Sequence, residues 1–199
     1  MLQLSYWTPD RVLQDPFCGS GTIPIEAALI GRNIAPGLNR SFDFEQWPCI
    51  SKQLWKTART NAFKAIDYNR DLLIYASDID AEAIETAKNN AIEAGVDDCI
   101  VFETRPISAI TVDDCHGVLM ANPPYGKRIG ESYELISIYK EIRRIFRNKP
   151  TWSLYLITSD ERFEETLGKK ANKTRKLYNG RIKVNYYQYF GQRPPKKKS

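Results

Sequence analysis

The sequence predicts a doubly wound α/β domain: a mostly parallel, seven-stranded sheet with helices on its faces and a C-terminal antiparallel hairpin strand. Three observations predict it. Short apolar runs alternate with stretches of helical periodicity along most of the chain. The first of these runs ends in a glycine turn that opens directly into a helix, the order found in nucleotide-binding units. The last two flank Asn179-Gly180, a dipeptide suited to a tight hairpin because both residues tolerate positive φ.

The length of 199 residues suits one domain spanning 1–199, with enough chain to bury a sizeable core. No apolar run approaches the roughly 18 residues of a membrane span and no signal segment opens the chain, so a cytoplasmic protein without a membrane partner is expected. Cys18, Cys49, Cys99 and Cys115 lack paired ligand spacing, and His116 is the only histidine, so neither a metal site nor a histidine-based triad is expected. The net charge of +5 and pI of about 8.9 are compatible with a nucleic-acid partner without requiring one. Part of that excess lies in a basic tail, 192–199, with Arg193 and Lys196-Lys197-Lys198. It reads as a solvated end or as a nucleic-acid contact.

Residues 11–15 form the first strand. Asp15-Pro16-Phe17-Cys18-Gly19-Ser20-Gly21-Thr22 follows, and then a helix over 23–30. Gly19 and Gly21 let the backbone turn sharply and approach a ligand with no Cβ between them, while the helix start aims free N–H groups at the same place. No lysine follows the second glycine, which excludes a phosphate loop, and the third glycine of a dinucleotide fingerprint is missing. The carboxylate of Asp15 favours a cationic or amine-bearing ligand. S-adenosylmethionine, with its ammonium, sulfonium and carboxylate, has the matching chemistry; a strand-to-helix turn without ligand is the plainer reading.

Residues 31–70 form an insertion, with an aromatic run Phe42-Asp43-Phe44-Glu45-Gln46-Trp47 and a helix over 51–65. Leu54, Trp55, Ala58, Ala62 and Phe63 recur there at helical spacing. The insertion reads as a packed cover over the sheet or as a wall of the substrate mouth. A second strand, 72–77, ends at Asp78, where an acid is placed to accept ribose hydroxyls. A helix over 81–94 follows, with Gly95 as its stop; Asp80 reads as the cap of that helix, or as a second cofactor contact. The third and fourth strands are 99–102 and 117–121.

The fourth strand runs into Asn122-Pro123-Pro124-Tyr125. The prolines fix the backbone and leave the Asn122 amide and the Pro123 carbonyl as acceptors, with the Tyr125 ring beside them. That set can hold a planar heterocycle and accept both hydrogens of its exocyclic amine; a proline turn after a strand is the alternative. Lys127 and Arg128 follow in a basic loop that either contacts phosphates or is simply solvated. A helix over 134–147, a strand over 152–157, a short helix over 161–167 and strands over 174–178 and 182–190 complete the chain.

On these residues the chain resembles the class I S-adenosylmethionine-dependent methyltransferases, which are Rossmann-like. More closely, it is similar to the catalytic domain of the 23S rRNA guanine-N2 methyltransferase family, whose members also carry the label N6-adenine-specific DNA methylase. The resemblance rests on Asp15–Thr22, Asn33–Gly37 continuing to Phe42–Trp47, Ser77–Asp80 and Asn122–Gly126. It implies an enzyme that methylates an exocyclic nucleobase amine, with Asn122, Pro123, Pro124 and Tyr125 as catalytic residues. It also implies a cofactor site of Asp15, Pro16, Cys18, Gly19, Ser20, Gly21, Thr22, Asp78, Asp80 and Asn122, with Tyr125, Lys127 and Arg128 on the substrate. Guanine N2 in 23S rRNA is the favoured target. Adenine N6 in RNA or DNA, a protein glutamine amide, and a non-catalytic binding module of the same fold are the other readings.

Two departures stand out. The family usually has an acid near the end of the third strand region, where this chain reads Ile107-Ser108-Ala109-Ile110. Family members also carry an N-terminal extension with an RNA-binding domain. Its lack here implies a fragment or a gene that has lost that half, the missing RNA-binding part then being supplied in cis or as a partner chain. Leu2, Leu4, Tyr6 and Trp7 then read as the end of a segment that packs over the cofactor crevice.

Overall fold

A computed structural model of the chain describes residues 1–113, 115–124 and 131–195. Seven strands form one sheet in the order β3-β2-β1-β4-β5-β7-β6. They are β1 (Leu13–Asp15), β2 (Ile74–Asp78), β3 (Ile100–Thr104), β4 (Val118–Ala121), β5 (Ser153–Thr158), β6 (Lys173–Asn179) and β7 (Ile182–Tyr189). Only β7 runs against its neighbours β5 and β6; the other pairings are parallel. The expected fold class therefore holds, and strand limits fall within a residue or two of those expected. From β1 the chain winds outward through β2 and β3, then returns to the other side of β1 with β4. The switch point between β1 and β4 opens a crevice at the carboxyl ends of the strands.

The helices are α1 (Thr22–Gly31), α2 (Lys52–Lys64), α3 (Ala81–Ala94), α4 (Glu131–Phe146) and α5 (Phe163–Leu167). In α3, Ile84, Ala87 and Ala91 form the buried face, while Gly95 at φ +69° ends the helix where a side chain would be strained. The central strand β4 is buried on both faces. Val118 and Met120 join one core with Leu13, Ile74 and Tyr155, and Leu119 and Ala121 join the other with Tyr139, Ile142 and Leu156. This two-sided burial is why the strand reads as an unbroken apolar run.

Arg11 fastens the opposite, amino edge. Its buried guanidinium donates to the carbonyls of His116 (2.7 Å), Tyr6 (2.7 Å) and Gly117 (2.9 Å), and to Ser153 Oγ (3.1 Å). Burial holds its pKa below the usual arginine value. Arg11→Met would strand these acceptors, so a loss of about 2–3 kcal/mol is expected. A lower urea midpoint at unchanged m-value checks it.

Leu2 and Trp7 are buried in the core cluster that holds Tyr155, Val184 and Tyr186, while Leu4 and Tyr6 are exposed. The Tyr6 amide donates to Tyr155 Oη at 2.8 Å, and Tyr186 Oη to the Met1 carbonyl at 3.0 Å. One expectation is corrected here: within the insertion 31–70, α2 is not a packed cover, because it buries none of its residues. Leu54 is 71% exposed and Phe63 46%. The helix instead carries Trp55 against Phe44 (centroids 5.0 Å apart) and Phe42 (6.0 Å), with Arg59 over the indole at 5.8 Å.

Candidate active site

The crevice at the switch point is a cavity of about 700 Å³. Asp15, Pro16, Cys18, Gly19, Ser20, Thr22, Asp78, Asn122 and Pro124 all line it, so residues far apart in sequence meet at one place. The turn after β1 is shaped by its glycines. Gly19 has φ +51° with open space where a Cβ would stand, leaving bare backbone toward the cavity. Gly21 has φ +86°, and a Cβ there would meet Ala87 Cβ at 3.0 Å, so it lets α1 and α3 approach closely behind the wall. Gly21 caps α1 without a side-chain bond, which leaves the first amides of the helix free at the cavity.

Asp78 braces this turn. Its Oδ2 accepts the Gly19 amide at 3.0 Å and its Oδ1 accepts the Asp80 amide at 3.1 Å. The Cys18 amide donates to the Ser77 carbonyl (3.0 Å), and Asn90 Nδ2 to the Ser20 carbonyl (2.8 Å), tying the loop to β2 and α3. Asp80 faces elsewhere: it caps α3 by accepting the Glu82 amide at 2.9 Å and is not among the lining residues. Asp78→Ala removes a carboxylate from the cavity and a brace from the glycine turn together. S-adenosylmethionine affinity should fall at least about tenfold, since a hydrogen bond to a charged group is worth roughly 1.5–3 kcal/mol; calorimetry reads it directly.

Asp15 is fully buried. Its Oδ1 accepts the Phe17 amide at 3.1 Å, while Oδ2 has no partner. Burial, followed by the neighbouring charge of Asp78, pushes its pKa up to about 7 against the opposing pull of the Phe17 amide. Asp15 lines the cavity while its unpartnered Oδ2 is shut off from solvent, a lack that a cationic ligand group would complete on reaching it. Cys18 is also buried, chiefly by which its thiol is pushed up to about 12; it is an inert wall, not a nucleophile.

Asn122 follows the last residue of β4, exposed at the cavity wall, and its side-chain amide makes no hydrogen bond among the described residues. Pro123 is buried beside it and Pro124 is exposed. Tyr125, Gly126, Lys127 and Arg128 lie outside the described residues. The cavity also has an apolar lining that motif reading missed: Phe17, Ile23, Ile79, Pro106, Ile107 and Ile138. Ile107 belongs to the stretch Ile107-Ser108-Ala109-Ile110, which holds no acid.

A crevice walled by acids and a free amide, with no lysine in its glycine turn, gives this fold the character of the class I S-adenosylmethionine-dependent methyltransferases. Comparison with known proteins agrees. The solved structure of SMU.472, a candidate methyltransferase complexed with SAH, superposes with a TM-score of 0.92 at 42% identity, over 98% of this chain and 52% of that one. Bacillus subtilis YpsC, named as a candidate RNA methyltransferase, is 50% identical over the whole of this chain and 52% of its own length. The ribosomal RNA large subunit methyltransferase K/L of Shewanella baltica is 37% identical over 95% of this chain and 28% of its own. The family model described as the RMKL-like methyltransferase domain matches residues 1–188, and the chain belongs to that family. Its cofactor is S-adenosylmethionine. The chain spans about half the length of YpsC, or less of the K/L enzyme.

Proposed function

We propose that this domain methylates the exocyclic amine of a nucleobase, with guanine N2 of 23S rRNA as its target. The observation that carries the proposal is the Asn122 amide, without a partner among the described residues and exposed at the switch-point cavity where Asp15, Asp78 and the glycine turn converge. The K/L rRNA enzyme among the relatives supports the choice of rRNA.

When bound, S-adenosylmethionine supplies an electrophilic methyl group. On this reading Asp15 Oδ2 meets a cationic group of the cofactor, Asp78 accepts from its ribose, and Ile79, Pro106 and Ile107 offer apolar surface to its adenine. Gly19 lets the backbone approach without a clash.

The target amine is a poor nucleophile because its lone pair is delocalised into the ring. Asn122 Oδ1 accepts one of its hydrogens and the Pro123 carbonyl the other, which returns electron density to nitrogen and fixes the direction of its lone pair. Orientation and fixed dipoles then provide most of the acceleration, and no strong base is needed beforehand. Once nitrogen is cationic it is strongly acidic, and its proton passes to solvent water. Tyr125 stacks on the extruded base, worth roughly 1–3 kcal/mol against the cost of unstacking it, and Lys127 and Arg128 hold phosphates.

The test is S-adenosylmethionine binding by calorimetry, followed by methyl transfer to total rRNA. Saturable binding with transfer supports the proposal, whereas binding with no transfer under any condition makes the domain a binding module. An RNA-binding domain of the kind the family carries, supplied in cis or as a partner chain, should raise transfer to free rRNA.

A further inference from the structure

The positive charge of this chain is concentrated at one end of the sequence. Residues 166–199 hold eleven of the 29 Lys and Arg and none of the 24 Asp and Glu, so residues 1–165 carry a net −6 against +5 for the whole. Five of those eleven cations, Lys173, Arg175, Lys176, Arg181 and Lys183, belong to the β6–β7 hairpin. Lys176 and Arg181 are exposed and make no ion pair among the described residues; Lys183, also exposed, lies 3.7 Å from Glu161. Between these cations Tyr178 is 73% exposed and Ile182 41%.

The topology puts this patch on the working edge of the sheet. Strand β6 runs antiparallel to β7, and β7 antiparallel to β5, so the tip of the hairpin lies at the same carboxyl edge as Asp15, Asp78 and Asn122. In the order β4-β5-β7-β6 the tip stands three strand spacings from β4, about 14 Å. Lysine on an edge strand also discourages pairing with other sheets. That explains Lys176, but not Arg181 in the turn or Lys183 on the interior strand β7, nor an uncovered tyrosine among them.

We infer that the tip of the β6–β7 hairpin is a docking surface for single-stranded RNA, with Lys176, Arg181 and Lys183 on phosphates and Tyr178 stacking on a base. The inference rests on the RNA-methylation reading and adds where the strand lies outside the catalytic cavity. Cations interleaved with an open aromatic ring match a strand that has both a phosphate backbone and free base faces. The acidic remainder of the chain steers the strand to this side.

The experiment is fluorescence anisotropy of a short fluorescein-labelled single-stranded RNA with the full chain, over a series of KCl concentrations. Lys176→Ala/Arg181→Ala should make the log–log salt dependence shallower by about 1.4, the share of two phosphate contacts on a single strand. Tyr178→Ala should weaken binding about tenfold with little change in slope, and Tyr178→Phe should retain it. Thermal midpoints and S-adenosylmethionine affinity should match those of the wild type. Wild-type affinity and slope in both alanine variants would overturn the inference, as would a wild type that shows no salt-dependent RNA binding. RNA binding indifferent to the variants alongside intact methyl transfer leaves the function standing without this surface. RNA binding that responds to them, with no methyl transfer, supports the surface while the function fails.

Discussion

Asn122→Ala should lower methyl transfer by at least about a hundredfold while S-adenosylmethionine binds with nearly wild-type affinity. Asn122 sits one residue past β4, its amide has no partner among the described residues, and it faces the cavity from the side opposite Asp78 in strand order. Its loss therefore disturbs no hydrogen bond among the described residues. What it removes is one acceptor for the target amine, and the loss of one pre-organised polar contact at a reacting centre commonly costs about 10²–10³ in rate. Single-turnover methyl transfer together with calorimetric cofactor titration separates the two effects. Unimpaired transfer in this variant would exclude the amide as the group that activates the amine.

Cofactor affinity should rise with pH across neutrality, and Asp15→Asn should abolish the part of that rise that belongs to the protein. The Asp15 carboxyl has its pKa pushed up to about 7 by burial. Below that pH the empty site holds a proton that a cationic ligand must displace; above it the carboxylate is ready. The ionised fraction grows about tenfold between one unit below and one unit above the pKa, and the association constant should follow it. The cofactor's own amino group titrates near pH 8, so the comparison with Asp15→Asn isolates the protein's contribution. The sign for stability is opposite. In the unfolded chain Asp15 ionises near pH 4, while in the folded apo-protein it stays protonated to about 7, so its contribution to stability falls as pH rises through that window. Asp15→Asn should remove this loss as well, which thermal midpoints at pH 5 and pH 8 would show.

The working edge of the sheet was legible because its polar residues stand at the ends of apolar runs. Asp15, Asp78 and Asn122 each close a strand, or follow one directly, and parallel topology is enough to gather such positions at one edge. The apolar lining was not legible, since Ile79, Pro106, Ile107 and Ile138 look like any other core residues until the cavity is seen. The periodic face of α2 misled for a related reason. Spacing shows that Leu54, Trp55, Ala58, Ala62 and Phe63 share a side, yet it does not show what covers that side. In the fold the helix leaves Leu54 and Phe63 exposed. The basic composition of the C-terminal segment is plain in the sequence, but its place beside the catalytic edge depends on β7 being antiparallel.

The central claim, transfer to a guanine N2, is tested most directly by identifying the methylated nucleoside. Unmethylated 23S rRNA is incubated with the domain and isotopically labelled S-adenosylmethionine, with the family's RNA-binding domain supplied where free rRNA is a poor substrate, and is digested for mass spectrometry. The Asn122→Ala variant serves as the blank. Label in N2-methylguanosine, absent from the blank, is the predicted result. Label confined to N6-methyladenosine, or an equal signal from wild type and variant, would contradict it.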